Sequence, residues 1–166
     1  MKLKLILIAA ACLFMLLASN SEAQQKQKNS SQKQSKTKTN SIQIEYLTGE
    51  KARQLPFSEA VKVGNMLYLS GQLGLDENAT LVQGGIKAET KQVMENIKRV
   101  LEKNGSSLNN VVKCTVMLAD ISEFGAMNEV YSTYFPKDRL PARSTFGANG
   151  LVRGAKIEIE CLAVVK

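Results

Sequence analysis

The chain has 166 residues, enough for one domain, and carries a formal net charge of +7 from 22 basic and 15 acidic side chains. It contains no histidine, which excludes a Ser-His-Asp triad, a Cys-His catalytic pair and every metal site that uses imidazole ligands. No spacing of cysteines or carboxylates is typical of a metal site, so we expect no metal centre.

The positive charge is concentrated at the N-terminus. Residues 1–40 contain seven lysines and one acidic residue, whereas residues 41–166 contain 15 basic and 14 acidic residues. The folded part is therefore expected to be nearly neutral, which argues against a specific nucleic-acid partner in spite of the basic net charge.

The first residues have the pattern of a secretory signal peptide. Two lysines precede an uncharged, mostly aliphatic stretch over residues 5–18, and Ser21 and Ala23 supply the small residues that a signal peptidase reads. The apolar stretch is too short for a comfortable membrane-spanning helix. We predict removal of residues 1–23 and an exported protein, periplasmic or secreted, with no stable membrane span. Lipoprotein anchoring through Cys12 is the second interpretation, disfavoured because the apolar run continues past that cysteine.

The next segment, residues 24–40, reads QQKQKNSSQKQSKTKTN and has no aliphatic or aromatic side chain. Such a composition buries too little apolar surface to offset the entropy of ordering, so we predict a flexible, basic, polar linker. Its lysines support only a nonspecific, salt-sensitive attraction to nucleic acid. Residues 41–166 are assigned to one folded domain.

The domain sequence predicts the element order β-β-β-α-β-α-β-β. In chain order we predict a strand at 42–49, a hairpin of 57–63 and 66–70, a helix at 85–104, a strand at 111–118, a helix at 122–135, and strands at 143–148 and 156–165. The first helix has an apolar stripe at helical spacing, formed by Ile86, Thr90, Val93, Ile97, Val100 and Leu101. This order favours an α+β fold, a sheet with two helices packed on one face.

The predicted strands also show which surfaces need cover. Val112, Cys114, Val116 and Leu118 form one expected apolar row, and Ile157, Ile159, Cys161, Ala163 and Val165 form another. The row opposite the second, Glu158, Glu160, Leu162 and Val164, is half polar and half apolar. A mixed row of this kind predicts contact with a neighbouring subunit. Cys114 and Cys161 are expected to be buried free thiols, although export would permit a disulfide.

Four stretches resemble the RidA/YjgF family in order and in spacing. They are VGNMLYLSGQLGLD (63–76), TKQVMENIKRVLEKNGSSL (90–108), VVKCTVMLADISEFGAMNEVYSTYF (111–135) and PARSTFGANGLVRGAKIEIECLAV (141–164). The resemblance runs from about residue 42 to the C-terminus, and the combination is far more specific than any single motif.

The resemblance implies a chorismate-mutase-like fold that assembles as a homotrimer. In that family, clefts between subunits bind small 2-imino or enamine acids, such as 2-aminoacrylate. The implied reaction is hydrolysis to a 2-keto acid and ammonia, without a metal or an organic cofactor.

Two site residues follow from the matching motifs. The arginine of the family's PARS motif falls on Arg143, which by position alone could be a surface residue, and the glutamate of its KIEIE motif falls on Glu158. A guanidinium fork is well suited to hold the carboxylate of a 2-imino acid, so Arg143 is predicted to be both catalytic and substrate-binding. Glu158 is predicted to be catalytic, because a carboxylate within reach of a water can move its protons. The other predicted substrate-binding residues are Gly71, Thr145, Phe57 and Asn128, the last of which could equally be an exposed helix residue.

One position departs from the family pattern. Active members often have a tyrosine after a proline in the early strand, whereas this chain has Pro56-Phe57 and so lacks a hydroxyl. We expect the change to affect rate and substrate preference more than carboxylate binding. The alternative function is a non-catalytic trimer that binds small carboxylates or protects proteins. A third, RNA cleavage, is disfavoured by the neutral domain and the absence of histidine.

Overall fold

The computed structural model describes residues 41–49 and 55–165. The predicted signal peptide, with Cys12 and the cleavage site, and the predicted linker lie outside the described residues, so the division into three segments stays a prediction. In the part of the chain that is described, no helix has the length and apolar character needed to cross a bilayer.

One mixed sheet of seven strands carries two helices, which confirms the predicted α+β fold. The strands are β1 (Ile44–Leu47), β2 (Ala60–Val63), β3 (Met66–Leu69), β4 (Gln72–Leu73), β5 (Val111–Leu118), β6 (Ala142–Gly147) and β7 (Ile157–Val164). The helices are α1 (Gly85–Lys103) and α2 (Phe124–Tyr131), the second flanked by 3-10 turns at Ile121–Glu123 and Ser132–Tyr134. The sheet order is β1-β2-β3-β7-β5-β6, with β4 also paired to β7. Only β5 and β6 run parallel.

The boundaries differ from the predicted ones at two places that matter for the site. The second strand begins at Ala60 instead of Phe57, since the chain bends over residues 55–57 around Pro56, which has no N–H to donate to a ladder. The two-residue strand β4 was not predicted, because so short a segment shows no alternation.

The predicted apolar stripe of α1 is confirmed, since every one of its six residues is at most 7% exposed. Asn96 is buried on the same helix, and its amide donates to the carbonyl oxygens of Leu73 and Leu75, at 2.9 Å each. Buried carbonyl groups need such partners. The helix therefore holds the chain that leaves β4 as well as covering the sheet.

The predicted apolar row of β5 is wrong at one end. Val112 is 44% exposed, whereas Val111 is buried. A β-bulge between Val111 and Lys113 shifts the pairing with β7 and reverses the alternation of side chains at that point. The remaining members, Cys114 and the apolar residues after it, face the helices as expected.

The two faces of the sheet differ in cover. The helix-facing residues of β7, Ile157, Ile159, Cys161 and Ala163, are at most 1% exposed. The opposite side, called here the open face, carries Ile44, Tyr46, Val61, Val63, Met66, Tyr68, Glu158, Glu160, Leu162 and Val164, as the strand registers require. A hollow of ≈ 370 Å³ on this face is lined in part by Tyr68, Lys113 and Glu160.

Candidate functional site

Arg143 lies in the edge strand β6, directly opposite Cys114 of β5, so its side chain points to the helix side of the sheet. Its Nη1 donates a hydrogen bond of 2.7 Å to Oδ1 of Asn128. Its Cζ lies 4.7 Å from the ring centroid of Tyr131 and 5.5 Å from that of Phe124. Stacking on two rings and one amide bond orients the guanidinium, and the amide uses only one of its five N–H donors.

All three contacts of Arg143 come from one side of α2. Phe124, Asn128 and Tyr131 are spaced four and three residues apart, which places them in a row on a helix. Asp120 starts the turn that leads into this helix, because its carboxylate accepts from the backbone N–H of Ser122 at 2.8 Å. The hydrogen bonds from Ser122 lower the pKa of Asp120 and keep this cap charged.

Thr145 follows Arg143 by two residues in β6 and points to the same side, opposite Val116 of β5. Its hydroxyl oxygen is buried and has no hydrogen-bond partner among the described residues. Leaving a buried hydroxyl unpaired costs free energy, so a polar ligand atom beside Arg143 would gain a partner here. Arg143, Asn128, Tyr131, Phe124 and Thr145 are called the arginine cluster below.

Glu158 lies in the middle of the sheet, where β7 pairs with Leu73 of β4 on one side and Met117 of β5 on the other. Its side chain is on the open face and is half-buried. Burial, followed by the negative charge of Glu160, raises the pKa of the Glu158 carboxyl above its usual value. A proton therefore leaves this group less readily than it leaves an exposed glutamate.

Gly71 is required by the position of the Glu158 carboxylate. A Cβ atom at residue 71 would lie 1.9 Å from Oε1 of Glu158, so only a glycine leaves the carboxylate room. Ser70, the preceding residue, donates its hydroxyl to the carbonyl oxygen of Ser58 at 2.7 Å. Phe57 precedes Ser58 and is 53% exposed, which places it at the same end of the sheet. Glu158, Gly71 and Phe57 are called the glutamate cluster.

One chain does not bring the two clusters together. Arg143 has the orientation of Cys114, whereas Glu158 has that of Met117, three residues further along β5. Residues an odd number of positions apart in a strand point to opposite faces. A ligand that contacts both Arg143 and Glu158 therefore needs two copies of the chain.

Two residues of the arginine cluster were assigned by the sequence to packing alone. Tyr131 is buried, as expected, but also stacks on the guanidinium, and Phe124 is 39% exposed beside it. Their spacing from Asn128 was the available signal. Over residues 41–49 and 55–165, no group of three or more cysteine, aspartate or glutamate side chains is placed to hold a metal ion.

Comparison with known proteins adds to this geometry. The family model described as endoribonuclease L-PSP matches residues 50–165. The 2-iminobutanoate/2-iminopropanoate deaminase of Mus musculus is 47% identical over 110 residues, 66% of this chain and 81% of that protein. The chloroplastic Reactive Intermediate Deaminase A of Arabidopsis thaliana is 41% identical over 129 residues, 76% of this chain and 68% of that protein. The crystal structure of RidA from an Antarctic Psychrobacter matches 75% of this chain and 98% of its own, with a TM-score of 0.65 and 41% identity.

Proposed function

Because the chain belongs to the endoribonuclease L-PSP family, to which RidA proteins are similar throughout the domain, we propose that it hydrolyses reactive 2-imino and enamine acids to 2-keto acids and ammonia. Relatives at 41% and 47% identity bear the names of such deaminases. The observation that carries the proposal is the arginine cluster, a guanidinium held in one orientation beside an unpaired buried hydroxyl.

The arginine cluster binds the carboxylate of the substrate. A carboxylate accepts two parallel hydrogen bonds from a guanidinium, and Asn128 and Tyr131 hold Arg143 ready for them. The Thr145 hydroxyl donates to a further ligand oxygen or nitrogen. Fixing the carboxylate also fixes the adjacent C=N carbon, which is the atom that water must reach.

Glu158 moves the protons of the hydrolysis. It accepts a proton from a water as the water oxygen bonds to the C=N carbon, and the electron pair of the C=N bond moves to nitrogen. The proton then passes to that nitrogen, the C–N bond breaks to release ammonia, and the carbon keeps the oxygen as a ketone. An enamine substrate first takes a proton at its β-carbon and becomes the imine.

The site is completed between adjacent copies in a homotrimer. Two facts support this assembly: the clusters lie on opposite faces of the sheet, and the open face exposes apolar side chains such as Ile44, Tyr46 and Tyr68, which are 55%, 71% and 43% exposed. A neighbouring copy that covers this surface gains hydrophobic stabilisation. It also brings its glutamate cluster to the arginine cluster of the first copy.

The proposal is tested by generating 2-aminoacrylate or 2-iminobutyrate in the presence of the purified protein and following the release of keto acid. We expect release well above the rate in buffer. No acceleration, together with saturable binding of a 2-keto acid, would support the non-catalytic carboxylate-binding alternative. RNA retention that disappears at raised salt, and after deletion of residues 24–40, would be assigned to the linker lysines.

The pH profile is expected to report the raised pKa of Glu158. Only the carboxylate form accepts a proton, so kcat/KM should fall as the pH drops through a pKa above the usual glutamate range. Glu160 contributes to the raised pKa through its negative charge, so Glu160→Gln should move this limb to lower pH. The measurement is kcat/KM against pH for both proteins, and a limb that does not move in the variant would contradict the assignment to Glu158.

We also propose that the domain acts outside the cytoplasm. The support is the sequence pattern of residues 1–23. N-terminal sequencing of the protein from its native host should begin at Gln24, and an intact Met1 on the abundant form would exclude cleavage.

A further inference from the structure

Two cysteines lie side by side in the core, next to the strand that carries Arg143. Cys114 of β5 is directly opposite Cys161 of β7 in the antiparallel register, and both side chains face the helices. They are free thiols, 0% and 1% exposed, which confirms the sequence prediction. Their Sγ atoms are in hydrogen-bond contact at 2.6 Å.

We propose that Cys114 and Cys161 close into a cross-strand disulfide when the chain folds in the presence of a disulfide oxidant. Directly opposed residues of antiparallel strands have Cα atoms about 4.5–5.5 Å apart, inside the range of about 4.4–6.8 Å that a disulfide bridges. The two side chains share one face and already touch. The strands therefore need no rearrangement to accept the bond.

The oxidation balances as two thiol–disulfide exchanges. The Cys114 thiolate attacks one sulfur of the external disulfide and expels a thiol, and the Cys161 sulfur, after losing its proton, attacks the mixed disulfide and expels a second thiol. Two protein thiols are oxidised and one external disulfide is reduced. The first attack suits Cys114, whose pKa is lowered chiefly by its hydrogen bond with Cys161 and further by Arg143 and Lys113, although burial opposes this.

Burial determines when the reaction can occur. At 1% exposure or less, neither sulfur is accessible to an oxidant once β5 and β7 are paired and covered by the helices. The bond must form while these strands assemble, and it is then protected from external reductants. Since β5 lies between β6, which carries Arg143, and β7, which carries Glu158, the bond would fasten the strands that hold the two clusters.

The stabilising effect follows from the length of chain that is closed. The cysteines are 47 positions apart in sequence, so the bond restricts a long segment of the unfolded chain. In the chain-entropy account, a loop of this size raises the melting temperature of a domain of this length by roughly 10 °C.

The test is peptide mapping of the full-length chain after unfolding and refolding with oxidised and reduced glutathione, followed by alkylation and trypsin. We expect the peptide that begins at Cys114 to be joined to the peptide that begins at Ile157, with the loss of two hydrogen atoms. Recovery of these peptides as alkylated or glutathione-bound species from folded protein, or joined to the peptide that contains Cys12, would overturn the proposal. The mapping is independent of any deaminase activity.

A melting measurement gives the second readout. Oxidised wild-type protein should melt roughly 10 °C above the same protein refolded with reductant, and Cys12→Ala should retain this difference. Cys114→Ala and Cys161→Ala should melt at temperatures that do not depend on the reductant. Equal melting temperatures for oxidised and reduced wild type would show that no stabilising bond forms, whether or not the alanine variants fold.

Discussion

Replacement of Arg143 by alanine is expected to lower kcat/KM for imine hydrolysis by about 10²–10³-fold. The variant loses two charge-assisted hydrogen bonds to the substrate carboxylate, each contributing about 1.5–2 kcal/mol, and a factor of ten corresponds to about 1.4 kcal/mol. The buried carbonyl oxygen of Asn128 also loses its donor. The measurement is keto-acid release under substrate-limited conditions.

Two further variants separate the fork of Arg143 from its charge. Arg143→Lys keeps the charge but loses the planar pair of donors, so its kcat/KM should lie between those of the wild type and the alanine variant. Arg139→Ala is the matched control, because Arg139 is exposed and its recorded ion pair is with the adjacent, exposed Asp138. Full activity in Arg143→Ala would exclude Arg143 from the site while leaving the deaminase proposal open.

Replacement of Glu158 by glutamine is expected to lower kcat by about 10²–10⁴-fold, the usual contribution of a positioned general base. Glutamine keeps the size of the side chain and removes the proton acceptor, so KM should change little. The acidic limb of the pH profile should disappear from the residual activity. An unchanged kcat would assign the proton transfers to another group.

Gly71→Ala moves the same carboxylate without changing its chemistry. The added Cβ would lie 1.9 Å from Oε1 and 2.8 Å from Cδ of Glu158, so the flexible end of that side chain must rotate away. We expect the free energy of unfolding to change by less than about 1 kcal/mol, while kcat falls at least about tenfold. Gly125→Ala is the control, since nothing lies within 4 Å of its added Cβ and alanine favours a helix. Wild-type activity in Gly71→Ala would mean that the observed position of Glu158 is not the reactive one.

Much of the fold could be predicted because it depends on local repetition. The stripe of α1 recurs at helical spacing and is buried throughout, and the alternation along β7 separates Ile157 and Ile159 from Glu158 and Glu160 as expected. Local rules failed where one residue changes the alternation or the pairing. The bulge after Val111 exposes Val112, and the strand β4 is too short to leave a pattern.

The sequence by itself determined the family, through four motifs in order, and named Arg143 and Glu158 as the residues on which the function is proposed to depend. Only the tertiary structure showed that these two side chains leave the sheet on opposite faces, that α2 supplies the rings beside Arg143, and that Gly71 makes room for Glu158. The reason is physical: a motif records which residue types a reaction needs, whereas their separation depends on strand register, which contacts distant in sequence decide.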